Sequence, residues 1–280
     1  MPDINTLAGP KIITEGPTGT GKTFALGTLV DWAEKNNAKV HVLFTENGLE
    51  SLLGYWRDRG LPVPACLRWH VVPVAAMDLQ SLIRAARDAG SMTYEGLTKQ
   101  IDTERGRNNP WEKFLSILVD VPDDRTNTKH GNVGTWGTDT ILVVDSMSEA
   151  ANLCFKMQVG KKPVASQPDY QVAQQNFLNW LRWMTQSLRC TFVITAHVQR
   201  QTNELTGITQ IMTKVIGRAL SDEVPQLFSE VIYTKREGTN WVWDTAATNV
   251  DTKTRYLPIS QKIDANYAPI MDKWMERGKA

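Results

Sequence analysis

Gly16-Pro17-Thr18-Gly19-Thr20-Gly21-Lys22-Thr23 is the stretch on which the reading of this chain turns. It has the spacing Gly, four residues, Gly-Lys-Thr, which is that of a loop that cradles phosphates. Glycines let the backbone curl so that successive N–H groups face inward at phosphate oxygens. Lys22 then reaches the β- and γ-phosphates as a point charge, and Thr23 offers its hydroxyl to Mg²⁺. The helix expected to begin near Lys22 adds its N-terminal dipole to the anion site. A strand expected at Lys11–Glu15 precedes the loop. A helix expected at Thr23–Lys35 follows, with Phe24, Leu26, Leu29, Val30 and Ala33 on its apolar face. Strand, loop, helix is the setting this motif needs, and ATP with Mg²⁺ is the expected cofactor pair.

Outward from the loop, strand and helix signals alternate, the pattern of an α/β fold with a mostly parallel sheet flanked by helices. Strands are expected at Lys39–Thr45, Trp69–Val74, Ile141–Val144 and Thr191–Ala196, and helices at Leu49–Arg59, Leu79–Ala89, Ser148–Met157 and Asp169–Leu188. The last of these carries Val172, Leu178, Leu181, Met184 and Leu188 as its apolar stripe. Residues 91–140 break the rhythm and read as an insertion or lid, with one helix at Trp111–Val119 and a loop or hairpin at Pro122–Thr138. A polar loop is expected from His197 to about Ile216. Short C-terminal hairpin strands are expected at Glu230–Lys235, at Trp241–Asp244 and around Arg255, then a tail over 260–280. The 280 residues thus read as a single domain with an insertion.

Three further side chains suit the chemistry of a bound triphosphate. Ile141-Leu142-Val143-Val144-Asp145 is an apolar strand capped by an acid, and Asp145 is the candidate metal carboxylate. An aspartate there can also serve only as a helix N-cap. The strand after the first helix ends Leu43-Phe44-Thr45-Glu46. Its carboxyl end belongs beside the phosphate loop, so Glu46 is the candidate base for water, with Glu50 in reserve. Ile194-Thr195-Ala196-His197 closes another strand, and His197 is placed to hydrogen-bond the γ-phosphate. His41 and His70 lie inside apolar strands and read as core histidines.

The combination resembles the RecA-like ATPases from about Lys11 to Pro258. The resemblance rests on the phosphate loop, Ile141-Leu142-Val143-Val144-Asp145-Ser146, Glu46 in the place of the family's catalytic glutamate, and the strand ending at His197. Lys253-Thr254-Arg255 resembles the Lys-x-Arg pair that such rings and filaments insert into a neighbouring subunit's ATP site. The resemblance therefore implies a homo-oligomer, ring or short filament, with ATP at its interfaces. Gly134-Thr135-Trp136-Gly137-Thr138-Asp139 and Thr195-Ala196-His197 resemble short, single-domain ATPases of bacteriophages, some of which assist single-strand annealing and recombination. The recombinases generally place glutamine where His197 stands. With 15 residues before Gly16, no helicase-type N-terminal domain is expected.

Net charge is +1, yet from Lys156 to Arg218 eight basic residues face two acids, an excess of +6 that leaves −5 for the rest. That segment holds both loops which the resemblance turns toward DNA. Lys161, Lys162, Arg200 and Lys214 are the candidate contacts to a single strand. A solvated basic face would look the same. Trp180, Trp183, Trp241 and Trp243 read as core or interface packing, the last two on one face of a strand. Three scattered cysteines suit neither a disulfide framework nor a zinc site. Without an apolar run of membrane length or a signal sequence, a cytoplasmic protein is expected. The expected activity is DNA-stimulated ATP hydrolysis in phage-type recombination, annealing or repair, with a single-strand-binding or annealing protein as a possible partner. Two other readings stay open: a helicase or packaging motor subunit, and a nucleotide-gated binding module without turnover.

Overall fold

The computed structural model describes residues 7–73, 79–91, 109–160, 164–202, 207 and 209–278. Strand β1 (Lys11–Glu15) leads into the phosphate loop and helix α1 (Lys22–Lys35). Then come β2 (Lys39–Phe44), α2 (Leu49–Arg57), β3 (Leu67–Val71) and α3 (Leu79–Ser91). Next are α4 (Pro110–Val119) and a two-stranded hairpin, β4 (Pro122–Asp123) with β5 (Thr128–Lys129). The core resumes with β6 (Thr140–Asp145), α5 (Met147–Val159), α6 (Gln167–Gln186) and β7 (Thr191–Ala196). The chain closes with β8 (Val198–Thr202), β9 (Thr209–Thr213), α7 (Gly217–Glu223), β10 (Glu230–Glu237), β11 (Asn240–Asp244), β12 (Ile263–Asp264) and α8 (Ala268–Gly278).

The main sheet runs β12-β11-β10-β1-β7-β6-β2-β3. Strands β10, β1, β7, β6, β2 and β3 are parallel, and β11 and β12 add antiparallel. This is the expected mostly parallel sheet flanked by helices. Strand parity sorts the core, because alternate side chains leave opposite faces. Ile13, Leu142, Val144, Phe192 and Ile194 face one side and pack with α4, α5 and α6. Ile12, Ile141, Val143 and Val193 face the other and pack with α1, α2 and α8. Both faces are covered, which is why these strands read as continuous apolar runs.

Several expectations change. The polar loop after His197 is a β-hairpin, β8 with β9, in antiparallel register from Val198–Thr213 to Thr202–Thr209. Its Val, Thr, Ile and Gln side chains suit a strand with one wet face. The strand around Arg255 reduces to a single bridge between Lys253 and Val231. Residues 260–278, read as a tail, supply β12 and α8, with Ile270, Met271 and Trp274 buried. Val172 on the expected stripe of α6 is exposed, as is Trp183, while Trp180 is buried. His41 is a core histidine, driven down to about 3 by burial and by Arg68 and His130. His70 is not: its Nδ1 lies 2.7 Å from an Asp124 oxygen. Residues 92–108 of the expected insertion lie outside the described residues. No described helix is long and apolar enough to cross a membrane.

Phe177 is fully buried where α6 meets α4, with Trp111 and Trp180 rings 5.9 Å and 5.2 Å away. Phe177→Ala should lower stability by about 3–5 kcal/mol, read by urea denaturation. A loss below about 1 kcal/mol would contradict this packing.

Candidate nucleotide site

The candidate groups gather at the carboxyl ends of four adjacent parallel strands, β1, β7, β6 and β2, where open α/β sheets bind ligands. The phosphate loop leaves β1. Glu46 follows β2, Asp145 ends β6, and His197 follows β7. Together they line one cavity of about 590 Å³ with Thr18, Gly19, Thr20, Gly21, Lys22 and Thr23.

The loop turns sharply into α1. Gly21 is the N-cap at φ +76°, a left-handed conformation that glycine adopts without strain. Lys22 folds back over the loop, and its Nζ donates to the carbonyls of Gly16 and Pro17, each at 2.8 Å. The Thr20 hydroxyl donates to Pro17 O at 2.8 Å and lies 2.7 Å from that of Thr234, which ties the loop to β10. Burial lowers Lys22 to about 8, while Asp145 and Glu46 partly offset this.

Asp145 is fully buried at the end of β6. Thr23 Oγ1 donates to its Oδ2 at 2.8 Å, and Thr195 Oγ1 donates to its Oδ1. Desolvation raises its pKa above the ordinary carboxylate range; the two hydroxyls oppose that shift. Thr45 N–H donates to Asp145 O at 2.8 Å, and the Thr45 hydroxyl exchanges hydrogen bonds with the Ser146 backbone. These bonds fasten the end of β2 to that of β6 and place Glu46 beside Asp145.

Glu46 meets His197, Nε2 to Oε2, at 3.3 Å. That hydrogen bond, more than any other influence, holds Glu46 below the ordinary carboxylate range, with burial opposing and Lys22 assisting. Glu46 is therefore ionised at neutral pH, and His197 Nε2–H is the donor. His197 in turn sits at the foot of the β8–β9 hairpin. Its N–H bonds to Ser148 Oγ at 3.1 Å, and its carbonyl accepts from Lys214 N–H at 2.8 Å. Glu50 is exposed and also lines the cavity.

The donor set suits magnesium. The Thr23 hydroxyl and Asp145 carboxylate supply hard oxygens side by side, and Mg²⁺ needs only one or two such groups besides phosphate and water. Among the described residues no cluster of three His, Cys, Asp or Glu competes for a softer metal.

Other candidates lie apart. Lys253 and Arg255 sit by the first residues of β10. Lys253 Nζ is 3.4 Å from Gln226 O, and Arg255 N–H donates to a Glu230 oxygen at 2.7 Å. Glu230 pairs with Ile12, toward the end of the sheet away from the loop. Arg200 and Lys214 are exposed on and beside the hairpin. Lys161 and Lys162 lie outside the described residues. Four contributors escaped the sequence reading. Thr195 and Ser148 are small hydroxyls whose partners, Asp145 and His197, are distant in the chain. Glu15, pushed up to about 7 by burial, accepts from Thr213 at 2.6 Å and so joins β1 to the hairpin. Trp241 lines the cavity from β11.

Fold and site define a phosphate-loop nucleotide-binding domain. The sequence profile of the AAA domain family (AAA_24) matches residues 8–257. The chain belongs to that family of P-loop ATPase domains. Among solved structures it is similar to the ATPase EscN of the enteropathogenic E. coli type III secretion system, solved with its central stalk EscO. The identity is 14%, the TM-score 0.42, and the match covers 89% of this chain and 48% of EscN. The chain thus spans about half the length of that ATPase. It is also similar to the RadB recombinase, at 14% identity and TM-score 0.39, covering 92% of this chain and 90% of that one. No curated protein matches.

Because Lys22 titrates near 8, phosphate binding must weaken as alkali removes its proton. Affinity for inorganic tripolyphosphate should fall about tenfold from about pH 7 to about pH 9. Calorimetry on Lys22→Arg, whose guanidinium keeps its proton, should show no such fall. A flat wild-type profile would contradict the assignment.

Proposed function

We propose that this protein hydrolyses Mg-ATP and uses the cycle to act on single-stranded DNA, in recombination, annealing or repair of the phage type. The observation that carries the reading is the convergence of Lys22, Thr23, Asp145, Glu46 and His197 on one cavity at the phosphate loop. Family membership supports ATP as the nucleotide.

In this reading the loop N–H groups and Lys22 hold the β- and γ-phosphates. Thr23 and Asp145 hold Mg²⁺, which when bound supplies positive charge beside the phosphate oxygens. Glu46, ionised, orients a water and takes its proton as the water oxygen bonds to the γ-phosphorus. The bond to the β-phosphate oxygen breaks, and ADP and phosphate leave. His197 shares its Nε2–H between Glu46 and the γ-phosphate, so loss of that phosphate changes what the hairpin foot is bonded to. Arg200 and Lys214, with Lys161 and Lys162, contact the phosphates of the strand. Lys253 and Arg255 stabilise charge at a neighbouring subunit's nucleotide in a ring or short filament.

Turnover measured with and without single-stranded DNA tests the reading. Lys22→Ala should abolish turnover. Glu46→Gln should lower kcat by about 10²–10⁴-fold while ATP still binds. Absence of turnover in the unsubstituted protein would refute the enzyme, and turnover indifferent to DNA would refute the DNA assignment. ATP binding that alone supports DNA binding, with function intact in Glu46→Gln, would favour the nucleotide-gated module. Mixing Arg255→Ala with Lys22→Ala subunits should restore part of the activity if sites are shared. If neither mixing nor dilution changes activity, Arg255 does not act across an interface.

A further inference from the structure

A second cavity, of about 570 Å³, adjoins the first at Trp241. Phe24 and Trp241 line both cavities. A Cβ built on Gly21 would lie 2.6 Å from Trp241 Cγ, so the indole rests against the phosphate loop itself. The Trp241 and Phe24 ring centroids are 4.6 Å apart, and Phe24 is 5.1 Å from Tyr55. Trp243, two residues on, is fully buried, whereas Trp241 is half-buried and open to both cavities.

Sheet order gives a bound nucleotide its direction. Glu46, Asp145 and His197 come from β2, β6 and β7, all on one side of β1. Trp241 comes from β11, on the other side, beyond β10. Hydrolysis requires the γ-phosphate beside Glu46 and His197. Phosphates lying along the loop therefore point their other end, the nucleoside, toward β11. We propose that Trp241 and Phe24 form the stacking platform for a purine base, and that the second cavity receives the nucleoside. This rests on the nucleotide reading above and names the specificity-determining residue it lacks. The flat indole face offers every base a partner but gains most from the larger purine rings. Asn240 and Asp264 on the cavity wall supply hydrogen-bonding groups for a sugar hydroxyl or a base edge.

The test is calorimetry of ATP, CTP and inorganic tripolyphosphate on the full chain, unsubstituted and as Trp241→Leu and Trp241→Phe. Trp241→Leu should weaken ATP by about 5- to 150-fold, the range for loss of one base–aromatic stack, and leave tripolyphosphate binding unchanged. Trp241→Phe should retain most of the ATP affinity. ATP binding unaffected by Trp241→Leu overturns the platform. So does an equal loss for ATP and tripolyphosphate, which would make Trp241 only a prop for Gly21. Equal affinities for ATP, CTP and tripolyphosphate in the unsubstituted protein overturn it even if the leucine variant does not fold. Absence of tripolyphosphate binding in that protein would instead overturn the phosphate-loop reading on which the platform rests.

Discussion

The buried carboxylate of Asp145 organises the site. It follows four apolar residues at the end of β6, is almost entirely buried, and satisfies its oxygens largely within the protein. Thr23 and Thr195 do so from α1 and from the end of β7. One acid thereby fixes the register of three elements at the mouth of the sheet. The Thr45 bonds to Asp145 and Ser146 add a fourth, the end of β2. With the strand ladders, that node holds the phosphate loop and the candidate base at common range.

A second chain of contacts runs from the same node into the β8–β9 hairpin. His197 bonds to Glu46 with its side chain and to Ser148 and Lys214 with its backbone. Ser148 Oγ also donates to Lys214 O at 2.9 Å. On the other flank, Thr213 reaches back to Glu15, the last residue before the loop. The hairpin is thus attached to the cavity wall through the ionised Glu46 and to the end of β1 through the buried Glu15. A rearrangement at either attachment has a short, hydrogen-bonded path to the exposed Arg200 and Lys214.

Local signals were legible in the sequence, and assembled ones were not. The phosphate loop could be read because its chemistry lies in eight consecutive residues. Asp145 could be read because an apolar run ending in an acid is itself a pattern. The placement of Glu46 beside the loop followed from the parallel order of the strands. Its bond to His197 did not, since that contact spans 151 positions and exists only once β2 and β7 are in place. The hairpin was hidden because Val198-Gln199-Arg200-Gln201-Thr202 is as polar as a loop, and its pairing with Thr209–Thr213 gives no periodic apolar signal. Trp241 was visible as a strand residue, but nothing along the chain places β11 next to Gly21. For His70, the deciding partner was Asp124, 54 positions away.

The position of β1 has a consequence for how the molecule is built. Its neighbours in the sheet are β7 and β10, so residues 11–15 pair with residues 192–196 and 230–233. Trp274 Nε1 donates to Ala8 O just ahead of β1. Both edges of the strand that launches the phosphate loop wait for partners about 180 and about 220 residues downstream. Such non-local pairing slows folding, because the chain must be closed before any contact rewards it. On a ribosome, α1, α2 and β2 can gather around one another early. The nucleotide pocket can form only after residues 192–233 have emerged, so β1 is made well before it can find its place.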